Sequence, residues 1–142
     1  MILVDVNILV YSVNRDAPRH ERAREWWDDR LSGVKPVCLA WVSLLGFARI
    51  TTNPRIVPRA LTIEEAGGYI SSWLEQPCLL VLEPLEGHWR RVEELLRLAG
   101  TAANLTTDAH LAALAMEHGC EVCSTDVDFA RFPGVRWSNP LA

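Results

Sequence analysis

Four aspartates stand where an α/β chain would place chemistry. Asp5 directly follows the apolar run Ile2-Leu3-Val4, Asp108 opens an alanine-rich segment, and Asp126 and Asp128 lie in Ser124-Thr125-Asp126-Val127-Asp128. Taken singly, Asp108 reads equally well as a helix N-terminal charge and Asp126 as a turn residue. A carboxylate straight after a buried strand has few such local uses. Gathered on one rim, the four would repel, since a pair 4 Å apart costs ~4 kcal/mol at an effective dielectric near 20. Either their pKa values rise or a cation sits among them. An all-oxygen donor set selects Mg²⁺ or Mn²⁺ over zinc. Asp5, Asp108, Asp126 and Asp128 are therefore the candidate metal ligands, and Asn7 and Ser124 the candidates to orient a ligand or water.

Competing chemistries are poorly supplied. No Ser-His-Asp or Cys-His spacing offers a nucleophile, and His110 reads as packed or solvated. Cys120-Glu-Val-Cys123 has CxxC spacing but follows the helix-stop pair His118-Gly119. On a strand, thiols three residues apart face opposite sides of the sheet. With Cys38 and Cys78 they read as buried structural thiols.

The elements that must position the aspartates alternate along the chain. Short apolar strands are expected at Ile2–Val4, Val37–Leu39, Leu79–Leu82 and Glu121–Ser124, with a last strand near Val135–Trp137. Between them, a helical turn is expected within Asn7–Asn14, and helices from Pro18 to Arg30 and from Trp41 to about Thr51. Another follows a capping box at Thr62–Glu65, and two more span Trp89–Ala99 and about Thr107–His118. Such alternation predicts a parallel sheet covered on both faces, with ligands bound beyond the carboxyl ends of the strands. Asp5 and Asp126 fall at those ends.

The 142 residues suit one domain. Apolar residues at 49% and charged ones at 23% exclude a disordered or low-complexity chain. No apolar run reaches membrane-spanning length, and Asp5 interrupts the apolar start that a secretory signal would need; a cytoplasmic protein is expected. The net charge of −4 is uneven: residues 1–60 carry nine basic and six acidic side chains, residues 61–142 five and twelve. Arg49 and Arg55, near the second strand's end, are the candidates for phosphate contact, while Arg19 to Arg30 read as a solvated helix face. Six tryptophans exceed what one core readily absorbs, which points to a protein interface.

Three segments together carry a resemblance. Met1-Ile-Leu-Val-Asp5-Val-Asn7-Ile-Leu-Val10-Tyr11 is similar to the opening of a PIN domain, the ribonuclease fold of VapC-type toxins. Asp108-Ala-His-Leu-Ala-Ala-Leu-Ala115 with Glu117-His-Gly119 resembles that family's third acidic segment. Ser124-Thr-Asp126-Val-Asp128-Phe129, then Phe132-Pro133 and Trp137-Ser-Asn-Pro140, resembles its C-terminal signature. The resemblance spans the chain in order. It implies an α/β/α sandwich around a parallel sheet of about five strands and Mg²⁺- or Mn²⁺-dependent cleavage of RNA, with Asp5, Asp108 and Asp126 as catalytic carboxylates. It also implies pairing as a homodimer and inhibition by a cognate antitoxin that presents an Arg to the carboxylates.

One position departs from the family. Its second acid is a Glu followed three residues later by Arg. Leu44-Leu45-Gly46-Phe47-Ala48-Arg49 fits that segment, but Gly46 takes the Glu position. A second metal site is therefore in question, with Asp128 or a water as substitute, and a catalytically weakened PIN-like scaffold binding RNA or protein is the alternative reading. A haloacid-dehalogenase-like phosphatase would need an Asp where Asn7 stands. A response-regulator receiver would need a lysine near the last strand, and Lys35 is the only lysine.

Overall fold

Five short strands form one all-parallel sheet in the computed structural model, which describes residues 1–142. They are β1 (Ile2–Val4), β2 (Val37–Leu39), β3 (Leu79–Val81), β4 (Glu121–Cys123) and β5 (Trp137–Ser138), in the order β3-β2-β1-β4-β5. Six helices connect them: α1 (Val6–Val13), α2 (His20–Leu31), α3 (Trp41–Thr51), α4 (Ile63–Leu74), α5 (His88–Ala99) and α6 (Thr106–His118). From β1 the chain builds outward to β2 and β3, then crosses back through α5 and α6 to β4 on the other side of β1. The order thus reverses between β1 and β4, the crevice where such sheets bind ligands.

The strand residues are apolar on both sides because both faces are covered. Leu3, Cys38 and Val122 face α5, α6 and the Phe129–Phe132 turn. Val4, Leu39 and Cys123 face α1 to α4. On that second side Trp27, Trp73 and Phe47 pack edge to face, with centroids 5.7 Å and 4.7 Å apart. Two tryptophans are thus absorbed by the core, whereas Trp41 and Trp89 stay exposed. Trp26 and Trp27, adjacent on α2, divide as helix geometry requires, one half-buried and one buried. The Thr62–Glu65 capping box is present. Gly119, at φ 69°, ends α6 in the left-handed conformation. No helix is long and apolar enough to cross a membrane.

Most element boundaries fall within one residue of expectation, and two starts differ by two residues. α2 begins at His20, not at Pro18: Asn14 Oδ1 accepts the Asp16 N–H, and bonds from Ala17 to Asn14 and His20 to Ala17 hold residues 14–19 in successive turns. The last strand is Trp137–Ser138, because Gly134 at φ 82° and the Val135-to-Phe132 bond turn the chain at Pro133–Gly134, and pairing with β4 begins only at the Arg136 carbonyl.

Candidate functional site

Asp5 leaves β1 and caps α1. Its Oδ1 accepts the Val6 N–H at 2.7 Å, and its own N–H reaches the Cys123 carbonyl on β4, so β1 and β4 stay paired to the last residue before the site. Asp5 is only 5% exposed. Its Oδ2 accepts the Ser124 hydroxyl at 2.7 Å and the Asn7 amide at 3.3 Å. Burial raises its pKa, and the Ser124 and Val6 hydrogen bonds offset part of that rise.

Ser124, fully buried at the end of β4, is the hub of the crevice. Its hydroxyl donates to Asp5 and accepts from the Asp126 N–H at 3.0 Å and the Asn7 amide at 3.2 Å. Its carbonyl accepts the Trp137 indole N–H at 3.0 Å. Asp126 then caps the following turn, with its Oδ1 accepting the Asp128 N–H. This turn carries two carboxylates out of the sheet on a backbone fixed by one serine.

Asp108 sits in the first turn of α6, where the helix N-terminus favours a carboxylate. Carboxylate oxygens of Asp108, Asp126 and Asp128 lie within 4.8 Å of one another. Burial, then the charges of Asp5 and Asp126, a hydrogen bond with Asp126 and the charge of Asp128 push Asp108 up to about 7. The structure therefore brings Asp108, Asp126 and Asp128 into one group. Asp5 stands beside that group, joined to it through Ser124 and by its charge. Three hard oxygen donors with no cationic side chain paired to them fit a small divalent cation.

Gly46, on α3, faces the same rim. A Cβ there would meet Val6 Cγ2 at 3.4 Å, so a side chain at this position is not excluded at its first atom. One turn earlier, the Ser43 hydroxyl is buried with no hydrogen-bond partner. Arg49 and Arg55 are exposed and join none of the ion pairs.

Sequence reasoning missed a second polar network. The Glu117 carboxylate, with no exposed side-chain surface, accepts the Leu85 N–H at 2.8 Å and lies 2.6 Å from His88 Nδ1. His88 Nε2 lies 2.7 Å from His110 Nδ1. A carboxylate only accepts, which makes His88 Nδ1 the donor to Glu117; a neutral His88 then accepts from His110 Nδ1 at its Nε2. The network ties the start of α5 to α6. Glu117 and His88 are 29 residues apart, and nothing in the local pattern signals their meeting. The cysteines are free, with Cys120 and Cys123 on opposite faces of the sheet as the spacing predicts. The Cys38 and Cys120 sulfurs lie 3.9 Å apart, and burial pushes the Cys38 thiol up to about 12.

Residues 2–135 match the model of the PIN domain family. The chain is similar to "Ribonuclease VapC37" of Mycobacterium tuberculosis, 43% identical over 142 residues, covering 100% of this chain and 99% of that one. It is also similar to "Ribonuclease VapC33" of the same species, at 40% over 141 residues and 99% of each. Among solved structures it resembles Mycobacterium tuberculosis VapC20, described as a sarcin-ricin loop cleaving toxin. There the TM-score is 0.68 and the identity 22%, over 96% of this chain and 99% of that one. VapBC2 from Rickettsia felis, solved bound to a promoter DNA fragment, is similar with a TM-score of 0.68 and 17% identity over 98% of both. At these identities the structural likenesses establish the fold.

Proposed function

The chain belongs to the PIN-domain family and, within it, to the VapC ribonucleases; we propose that it is a metal-dependent ribonuclease hydrolysing RNA phosphodiester bonds, the toxin of a toxin–antitoxin pair. The carrying observation is the group formed by Asp108, Asp126 and Asp128 at the β1/β4 crevice, beside a buried Asp5. The whole 142-residue chain works as the unit, in keeping with a family match from residue 2 to residue 135.

Asp5, Asp108 and Asp126 are the catalytic carboxylates, and with Asp128 they would hold Mg²⁺ or Mn²⁺. Such an ion supplies positive charge for the phosphoryl oxygens and acidity for a water bound to it. The chain's own residues do the rest. Ser124 donates its hydroxyl hydrogen bond to Asp5 Oδ2, which fixes that carboxylate in direction and offsets part of the rise that burial imposes on its pKa. Asn7 donates its amide to both Asp5 and Ser124, which ties the two sides of the crevice wall together. Asp108, raised to about 7, is partly protonated at neutral pH in the absence of a cation, and nearby positive charge would favour its ionised form. Asp128 supports catalysis despite Gly46, because it restores the carboxylate count at the rim.

Arg49 and Arg55 are the phosphate contacts, free of competing acids. The antitoxin acts at the same rim: an Arg presented to Asp108, Asp126 and Asp128 satisfies the charges a cation would, so inhibition and metal binding compete. The chain pairs as a homodimer, a reading supported by exposed Trp89, and it works in the cytoplasm. The deciding experiment is cleavage of an RNA pool by wild type and Asp108→Asn, with Mg²⁺ and with EDTA. Cleavage only by wild type and only with metal upholds the assignment; metal-independent cleavage or an active variant refutes it.

A further inference from the structure

The first turns of α3 expose a side that the acidic site does not use. At about 100° per residue, Trp41, Val42, Leu45 and Arg49 fall within one arc of about 100°, and Gly46 lies about 40° past Val42. Trp41 is 47% and Leu45 65% exposed. Gly46 meets Val6, the residue after Asp5, so this arc borders the rim of the carboxylate crevice. Trp41 itself is placed there by the sheet: β2 ends at Leu39, beside β1, and α3 starts two residues later.

Charge decides what such a face attracts. From Arg30 to Ile63 the chain carries five basic residues and no acidic one. Arg49 and Arg55 make no ion pair, so their charge is free for a polyanion. The other exposed tryptophan is set differently: Trp89 shares its hollow with Glu93 and Arg97, which neutralise each other at 3.4 Å. An exposed indole on the same helix side as the unpaired Arg49, next to a site proposed to cut RNA, has the chemistry of a base-stacking platform, which works on any base because every base has a π-face.

We infer that Trp41, on the same exposed side of α3 as Leu45 and Arg49, stacks an unpaired base of the RNA substrate. This rests on the ribonuclease reading. The indole takes the base, and Arg49, two turns along the same side, takes a neighbouring phosphate.

The test measures binding of a fluorescein-labelled, randomised 12-nucleotide single-stranded RNA by anisotropy in EDTA. The proteins are the full-length Asp108→Asn chain and the same chain carrying Trp41→Ala or Trp41→Phe. Melting curves establish that each variant is folded. Trp41→Ala is expected to weaken single-strand binding by about 5- to 150-fold. Trp41→Phe should keep most of it, and the randomised duplex, whose bases are already stacked, should respond little to either. The same substitutions in the active chain should raise KM with kcat nearly unchanged. Equal affinity for Trp41→Ala and its parent overturns the inference while leaving cleavage by the wild type intact. A wild type that neither binds nor cleaves the pool refutes the ribonuclease reading and the inference with it. If Trp41→Ala instead turns a dimer into a monomer with RNA affinity unchanged, the arc is a protein interface and the inference falls.

Discussion

Asp108→Asn should make the metal-free protein more stable at pH 8 and change it little at pH 4. In the folded chain the Asp108 carboxyl is raised from 3.8 to about 7, by burial first and then by Asp5, Asp126 and Asp128. A group whose folded value exceeds its unfolded one binds the proton more tightly when folded. Its contribution to stability is therefore fully present below about 3.8 and is lost as pH rises to about 7. A shift of that size corresponds to about 4 kcal/mol. Asp108 is partly exposed, and solvent screening reduces the recoverable share to about 1–2 kcal/mol. For a domain of this length that is a rise in Tm of about 2–8 °C.

The assay is thermal or urea denaturation of wild type and Asp108→Asn in EDTA from pH 4 to 8, compared at each pH so that other titrations cancel. The difference should open across pH 4–7 in favour of the variant. Adding Mg²⁺ at pH 8 should close or reverse it, since a ligand that binds only the folded state stabilises by RT ln(1 + [L]/Kd), and wild type binds better. A variant as stable as wild type, or less stable, at pH 8 in EDTA would refute the charge argument. So would a gain independent of pH.

Asp5→Asn should keep the fold, because Asn can still cap Val6, while RNA cleavage falls by about 100-fold or more; turnover and melting measured side by side check both halves. Gly46→Glu, whose Cβ would meet nothing nearer than Val6 Cγ2 at 3.4 Å, should tighten Mg²⁺ binding by about tenfold, the order of effect a carboxylate near a metal carries; calorimetry showing unchanged or weaker binding counts against the alignment of this helix. His88→Ala strips Glu117 of its closest donor and should cost about 1–3 kcal/mol of unfolding free energy, read by urea denaturation; an unaffected midpoint would mean the network carries no stability.

Which parts of the site were legible in the sequence follows from how each side chain is placed. Asp5 and Ser124 follow strands that local apolar runs announce, so their position on one rim comes from the strand-end rule alone. Asp108 was legible as a helix-start carboxylate, but not its distance from Asp126, which depends on α6 crossing the sheet toward β4. The Trp137–Ser124 bond and the Glu117–His88–His110 chain join segments whose proximity only the packed fold creates. The last strand starts later than expected for a related reason: the bend at Gly134 delays its pairing with β4, so that the Arg136 carbonyl, which accepts the Val122 N–H, is where the ladder begins.

The carboxylates of the crevice are held by two different means, and the difference explains how a marginally stable chain keeps them. Asp5 is buried, and its two oxygens are met by Val6, Ser124 and Asn7, so it needs no cation to remain in place. Asp108, Asp126 and Asp128 are only half-buried, and no cationic side chain approaches them. Their repulsion is tolerated because water still reaches them and Asp108 can hold a proton. A site that served only as a scaffold would gain nothing from this second group, since any one of the three replaced by Asn would relieve the repulsion and keep the hydrogen-bonding shape. Its presence beside a self-sufficient Asp5 makes sense as standing demand for positive charge, which a metal ion, or the Arg of an inhibitor, would meet in turn.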